Sequence, residues 1–294
     1  MKSTQKKPFT PSQINLQTSR NLLRMLDERI EASPGNAGLW LRRADLARHA
    51  GMVPEIRHSI AQYRRLTLPG GRADVDPRLL VPPTGLAKST EPAPSPVIVI
   101  DGFVPDTMIS EILDQVATNR DQFEQARVGI IADTENDDAR ITSVFHKYTA
   151  GRDFILSRIR ALQPDACRLL GIPDFTIGHM ETKITNYTTG GHFHPHQDAT
   201  EWSQGQRRTL SWLLYFHRQP KKFTGGDLYM LDTYPGDETT PKHYIQDKYT
   251  RIEPANNRLV MFRSADYHAV APTILHGDDF MDGRMAVSGH ISNS

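Results

Sequence analysis

After Gly171 the chain breaks into short runs rich in β-branched and aromatic residues, each bounded by turn-forming residues. This pattern restricts the fold more than any other feature. The runs are Ile184 to Tyr187, Leu210 to Phe216, Asp227 to Leu231, Leu259 to Phe262, His268 to Val270 and Met285 to His290. Branched and aromatic side chains pack well on a pleated, half-buried surface, so each run reads as a strand. Strands at this frequency indicate an antiparallel sandwich or barrel rather than βαβ units. A helix-flanked double-sheet jelly roll, cupin-like in form, is the simplest architecture that closes them.

The chain before this region is patterned differently. Leu22, Leu23, Leu26 and Ile30 fall on one face at helical spacing. Ser33-Pro34-Gly35-Asn36 ends that helix, a second carries Trp40, Ala44 and Ala47, and a third follows Gly51 through Ile56, Ile60 and Tyr63. The second and third look like a single tetratricopeptide-type hairpin, although solenoids need several such units to bury a continuous core. From Pro69 to Pro96 the sequence is rich in Pro, Gly and small polar residues and reads as a linker. The expected division is an α-helical region over 1–68, a Pro-rich linker over 69–96 and a mainly β domain over 97–294. That last domain opens with the strand Val97 to Asp101, and further helices are expected near Met108 to Val116 and from about Arg152 to Leu170.

Composition excludes little but is informative at the margins. The formal net charge is +1 over 294 residues, which argues against a broad electrostatic footprint for nucleic acid, and no nucleic-acid partner is expected. One cysteine, Cys167, rules out an intramolecular disulfide, which suits a reducing compartment. The start of the chain lacks the apolar run of a signal peptide, and no stretch nears the roughly 18 uninterrupted apolar residues of a membrane span. A cytoplasmic protein with no membrane partner is the expectation.

The chemistry is concentrated in His192-Phe-His194-Pro-His196-Gln-Asp198. Residues two apart on an extended strand share a side, so His196 and Asp198 can reach one point. A third ligand on a later strand would complete a facial triad with three open cis positions, and nitrogen with hard oxygen donors suits iron(II). His268, directly after the strand Leu259 to Phe262, is the best candidate; His243 lies in the polar stretch Thr239 to Lys248, which looks like an insertion, and His276 lies in a Gly/Asp-rich turn. Arg284 opens the final strand, and its guanidinium fork matches a carboxylate. Ser288 lies on the same side by alternation.

These fragments occur in a recognisable order. Tyr187-x-x-Gly190-x-x-Phe193-x-x-His196-x-Asp198, Arg208-Thr-Leu210 with Leu214-Tyr215, Gly225-Gly-Asp-Leu228, His268-x-Val270-x-Pro272 and Arg284 resemble the prolyl 4-hydroxylase-like iron(II)/2-oxoglutarate oxygenases over roughly 96–294. The resemblance implies a double-stranded β-helix, Fe(II) held by His196, Asp198 and His268, and 2-oxoglutarate held by Arg284 with Tyr187 and Ser288. It also implies consumption of O2, release of succinate and CO2, stimulation by ascorbate, and hydroxylation of an unactivated C–H bond. Two positions depart from the family pattern: arginine stands at 284 where lysine is common, and His290 stands where an aromatic residue is frequent. The carboxylate of Asp198 favours hydroxylation over halogenation, which in related enzymes uses glycine or alanine there.

The expected substrate is an amino-acid side chain, free, peptidyl or carrier-bound, or a small specialised metabolite. Trp202, His194 and Arg208 are its candidate contacts, and the amino-terminal helices are a candidate surface for a protein or carrier partner. Trp212 and Tyr215, in an apolar strand, read as core. The competing function is a cupin-like metal- or ligand-binding protein without turnover.

Overall fold

The computed structural model describes residues 9–10, 16–68, 79–80, 92–126, 139–199, 207–234 and 243–294. Trp202, most of the expected linker and parts of two long polar loops (131–138 and 235–242) fall outside them. Two compact units emerge: one comprises 1–10, 100–228 and 253–294, the other 11–99 and 229–252.

In the first unit a large antiparallel sheet follows the order β11-β7-β14-β5-β4-β2. Its strands are β2 (Glu124–Gln125), β4 (Ser143–Phe145), β5 (Ile177–Tyr187), β7 (Arg208–Phe216), β11 (Arg258–Arg263) and β14 (Arg284–Asn293). A second set, β12-β6-β3, contains β3 (Arg140–Ile141), β6 (His192–His196) and β12 (His268–Val270). The hairpin-like pair β8 (Phe223–Gly225) and β13 (Thr273–Leu275) closes one end. Helices α4 (Asp106–Thr118) and α5 (Arg152–Leu170) flank the sheets. The result is a helix-flanked jelly roll, as the strand pattern requires.

Strand β14 is the organiser. It is buried along nearly its whole length and pairs with β5 on one side and β7 on the other, with Arg284 opposite Tyr187, Ser288 opposite Lys183 and Leu213, and His290 opposite Ser211. Alternation then turns Lys183, Tyr187, Ser211, Arg284, Ser288 and His290 toward one cavity. Gly289 on the same strand admits no side chain, because a Cβ there would lie 2.4 Å from the Trp212 ring.

The second unit contains α1 (Leu16–Ala32), α2 (Ala37–Ala50) and α3 (Val53–Thr67) with β9 (Leu228–Tyr234) and β10 (His243–Ile252). Asn36 caps α2 by accepting from the Gly38 amide at 3.1 Å, and Gly51 ends it at φ 70°. Leu39, Ala44, Ala47, Ile56 and Ile60 form its helical core. Arg48, fully buried on α2, donates to Thr250 Oγ1 at 2.8 Å and to the carboxylates of Asp45 and Asp232. β10 corrects the expectation of a polar insertion: the segment is a strand whose partner is β9, and its polar residues suit a position at a sheet edge. Among the described residues no helix is long and apolar enough to cross a membrane.

Candidate metal centre and its cavity

His196, Asp198 and His268 come together as the sequence spacing suggests: each offers a ligand atom, and these atoms all lie within 4.8 Å of one another. Pairing of β6 with β12 sets His196 opposite His268. The Asp198 and Ala199 amides both donate to the Ser264 carbonyl, at 2.8 and 2.9 Å, which fixes the carboxylate just beyond the strand end.

Tautomers follow from the hydrogen bonds. His196 Nδ1 lies 2.7 Å from the His194 carbonyl and His268 Nδ1 lies 3.0 Å from the Asp266 carbonyl. A carbonyl only accepts, so both Nδ1 atoms carry the proton and both Nε2 atoms turn a lone pair inward. Those Nε2 atoms stand 3.6 and 3.4 Å from the Asp198 oxygens. Two imidazole lone pairs and a carboxylate converging on one point form a donor set that fits iron(II). Burial, then the His196 ring, pushes His268 down to about 4, so it is neutral and able to ligate at neutral pH.

A hydroxyl steadies the carboxylate. Ser211 Oγ lies 2.8 Å from Asp198 Oδ2, 2.8 Å from Ser264 Oγ and 3.1 Å from His290 Nδ1. One hydroxyl has one proton and two lone pairs, so Ser211 donates to Asp198 and accepts from Ser264 and His290. Partners of this kind orient a metal ligand. His290, noted in the sequence as a departure from the family pattern, thus reaches the metal centre through Ser211. Burial pushes it down to about 4 as well.

The cavity beside this cluster has a volume of about 400 Å³. At one end lies Arg284, 1% exposed. Its Nε donates to the Gly226 carbonyl at 2.9 Å and its Nη2 to the Tyr215 hydroxyl at 3.1 Å, while the rings of Tyr187 and Tyr215 cover it at 4.9 and 4.7 Å. Among the described residues no carboxylate pairs with it. A buried guanidinium held by neutral groups alone carries an uncompensated charge, and a dicarboxylate such as 2-oxoglutarate fits that requirement. Gly226, at φ 67°, is needed here because a Cβ would lie 2.9 Å from the Arg284 side chain.

The remaining expected contacts separate. Arg208 lines the cavity and pairs with Glu181. Ser288 lines it too. His194 is not among the lining residues: the ladder is irregular between His268 and Val270, with Val270 opposite Phe193, so Phe193 and His196 line the cavity and simple alternation along β6 fails. Sequence reasoning missed Tyr215, Ser211, Lys183 and Arg140. The first was assigned to the core because its neighbours are apolar; Lys183 was discoverable by stepping back two residues at a time from Tyr187.

Comparison with known proteins agrees with this geometry. Residues 182–292 match the 2OG-Fe(II) oxygenase superfamily. That superfamily uses Fe(II) and 2-oxoglutarate. An uncharacterized PKHD-type hydroxylase of Synechocystis sp. is 28% identical over 137 residues, 47% of this chain and 44% of that protein, so the chain spans less than half of this relative's length. Among solved structures, a prolyl-4-hydroxylase of Pseudomonas putida is 18% identical with a TM-score of 0.45, covering 67% of this chain and 92% of its own. A prolyl hydroxylase of Trichoplax adhaerens, in complex with a hypoxia inducible factor peptide fragment, is 17% identical with a TM-score of 0.48, covering 67% and 83%.

Proposed function

We propose that the protein is an Fe(II)/2-oxoglutarate-dependent hydroxylase in which His196, Asp198 and His268 hold iron. Arg284, aided by Tyr215, Tyr187 and Ser288, receives the distal carboxylate of 2-oxoglutarate. The observation that carries this reading is the combination of two inward-facing imidazole lone pairs beside Asp198 with a buried, carboxylate-free Arg284 in one cavity. Bound iron with 2-oxoglutarate and O2 supplies the oxidising chemistry, by which 2-oxoglutarate loses CO2 to become succinate and a substrate C–H bond gains one oxygen atom.

The chain's own residues do the positioning. The backbone carbonyls of His194 and Asp266 fix both imidazole tautomers, and Ser211 holds one Asp198 oxygen so that its orientation is set before metal arrives. The Tyr187 and Tyr215 rings keep water from the Arg284 guanidinium, which strengthens its pull on a carboxylate. The apolar wall of Trp212, Leu228, Phe262 and Val270 excludes competing solvent. The substrate is an amino-acid side chain or a small metabolite, with Arg208 on the cavity wall as its contact. Helices α1 to α3 are assigned as the surface for any protein or carrier that presents it.

Anaerobic loading of the full chain with Fe(II) and 2-oxoglutarate tests this. A weak visible charge-transfer band should appear, and be lost in His196→Ala and in His268→Ala. Persistence of the band in both variants would sink the ligand assignment. Absence of succinate formation under O2, iron and ascorbate would favour a binding protein without turnover.

A further inference from the structure

The cavity wall carries more positive charge than the proposed iron and co-substrate need. Four cations line it, Arg140, Lys183, Arg208 and Arg284, against one carboxylate, Asp198. Iron(II), Asp198, Arg284 and the two carboxylates of 2-oxoglutarate would together be neutral. Arg208 is matched by Glu181. Arg140 and Lys183 are left over.

Among the described residues, neither has an ion-pair partner. Arg140 lays its guanidinium over the Phe193 ring at 4.8 Å, and Phe193 stacks on His196 with ring centroids 3.4 Å apart. Its Nε is buried with no hydrogen-bond partner. Lys183 lies on β5 opposite Ser288, four residues from Tyr187, and its ammonium makes no hydrogen bond or ion pair among the described residues. Burial, then Arg140, draws Lys183 below its ordinary value. Two neighbouring cations beside apolar walls repel each other and lack solvent, an arrangement that an anion would relieve. Neither belongs to the proposed ligand set of His196, Asp198 and His268, and neither takes part in holding Arg284.

We propose that Arg140 and Lys183 form a second anion subsite that receives a carboxylate of the primary substrate. This rests on the oxygenase reading and extends it: the C–H bond to be oxidised would lie within a few bonds of a carboxylate. That chemistry is supplied by a free amino or organic acid, or by an acidic side chain within a peptide. A neutral side chain in the interior of a peptide would leave both cations unpaired and is disfavoured.

The test uses the full chain with Mn(II) in place of iron, so that no turnover occurs, and proceeds in two steps. Calorimetry first measures 2-oxoglutarate binding to the Mn(II) protein; no binding would sink the oxygenase reading itself. With 2-oxoglutarate bound, the twenty free L-amino acids are then titrated against their carboxamides. Capped pentapeptides with a central Asp or Glu are titrated against those with Asn or Gln. At least one acid should bind tenfold or more tightly than its amide. The arm in which it does so identifies the source of the carboxylate.

Lys183→Met keeps the apolar stem and should reduce that acid preference at least tenfold, with Arg140→Gln reducing it severalfold. Melting curves identify any variant that fails to fold, and either variant alone suffices for the comparison. Two results overturn the proposal: no acid outbinding its amide in the wild-type protein, or Lys183→Met weakening 2-oxoglutarate while leaving the acid preference intact. The latter would assign Lys183 to the co-substrate.

Discussion

Among the described residues, two arginines are almost completely buried, one in each unit, and they are satisfied in opposite ways. Arg48 meets Asp232 and Asp45 carboxylates and the Thr250 hydroxyl. Among the described residues, Arg284 meets a backbone carbonyl, a phenol and two aromatic faces, and no carboxylate. The chain supplies the counter-charge for the first; among the described residues it supplies none for the second, which is the basis for assigning Arg284 to 2-oxoglutarate in the proposed function. A buried charge whose partners are all internal reports on stability; one whose partners are all neutral reports on a ligand.

The comparison can be broken most forcefully at Arg48. Arg48→Met leaves Asp232 buried without its partner and should cost about 3–5 kcal/mol of stability, read by urea denaturation, with 2-oxoglutarate affinity retained in the protein that remains folded. Arg284→Met should do the reverse. We expect 2-oxoglutarate affinity to fall about a hundredfold, a loss of about 2.7 kcal/mol, while the denaturation midpoint of the ligand-free protein falls little or rises. Equal destabilisation by both variants would end the distinction.

Acid should act next on the unit that carries His268 and His290. His268 and His290 are held near 4 in the folded protein against an ordinary 6.5. Between those values the unfolded chain binds more protons than the folded one. Their contribution is therefore complete above about pH 6.5 and is lost as pH falls toward 4, with a slope of about 1.4 kcal/mol per pH unit for each proton taken up. Metal-free stability measured from pH 7 to pH 4 should fall accordingly; a flat profile would contradict the neutral, buried imidazoles. The smallest effect is expected from Ser211→Ala, which removes the hydroxyl holding Asp198. It should weaken metal binding roughly tenfold, measured by Mn(II) titration, and leave the fold intact.

How much of this was legible in the sequence depended on whether local pattern or long-range packing decided the position. His196 and Asp198 were readable from their two-residue spacing, although Asp198 lies just past the end of β6 and is held there by the Ser264 carbonyl, and His268 because it follows a clear apolar strand. Tyr215 was not. Its phenol lies among apolar neighbours on β7, and only pairing with β14 shows that it meets Arg284 rather than filling the core. His194 misled because the irregular pairing of β6 with β12 breaks the alternation on which the inference rested. β10 escaped because an edge strand has no need of the apolar residues that mark a strand in sequence. Trp202 lies outside the described residues. The charge surplus at Arg140 and Lys183 required β3 and β5 to be seen together.

The ion pair of Arg48 with Asp232 also bears on where this protein can be cut. Asp232 lies inside the stretch that matches the oxygenase superfamily, 182–292, whereas Arg48 lies far upstream of it on α2. Residues 229–252 therefore belong to the compact unit that holds the helices while lying inside the stretch that matches the superfamily. The borders of the matched stretch and those of the compact unit do not coincide here. A polypeptide begun at residue 97 would retain every proposed metal ligand and still carry, at Asp232, a buried carboxylate that had lost its cation.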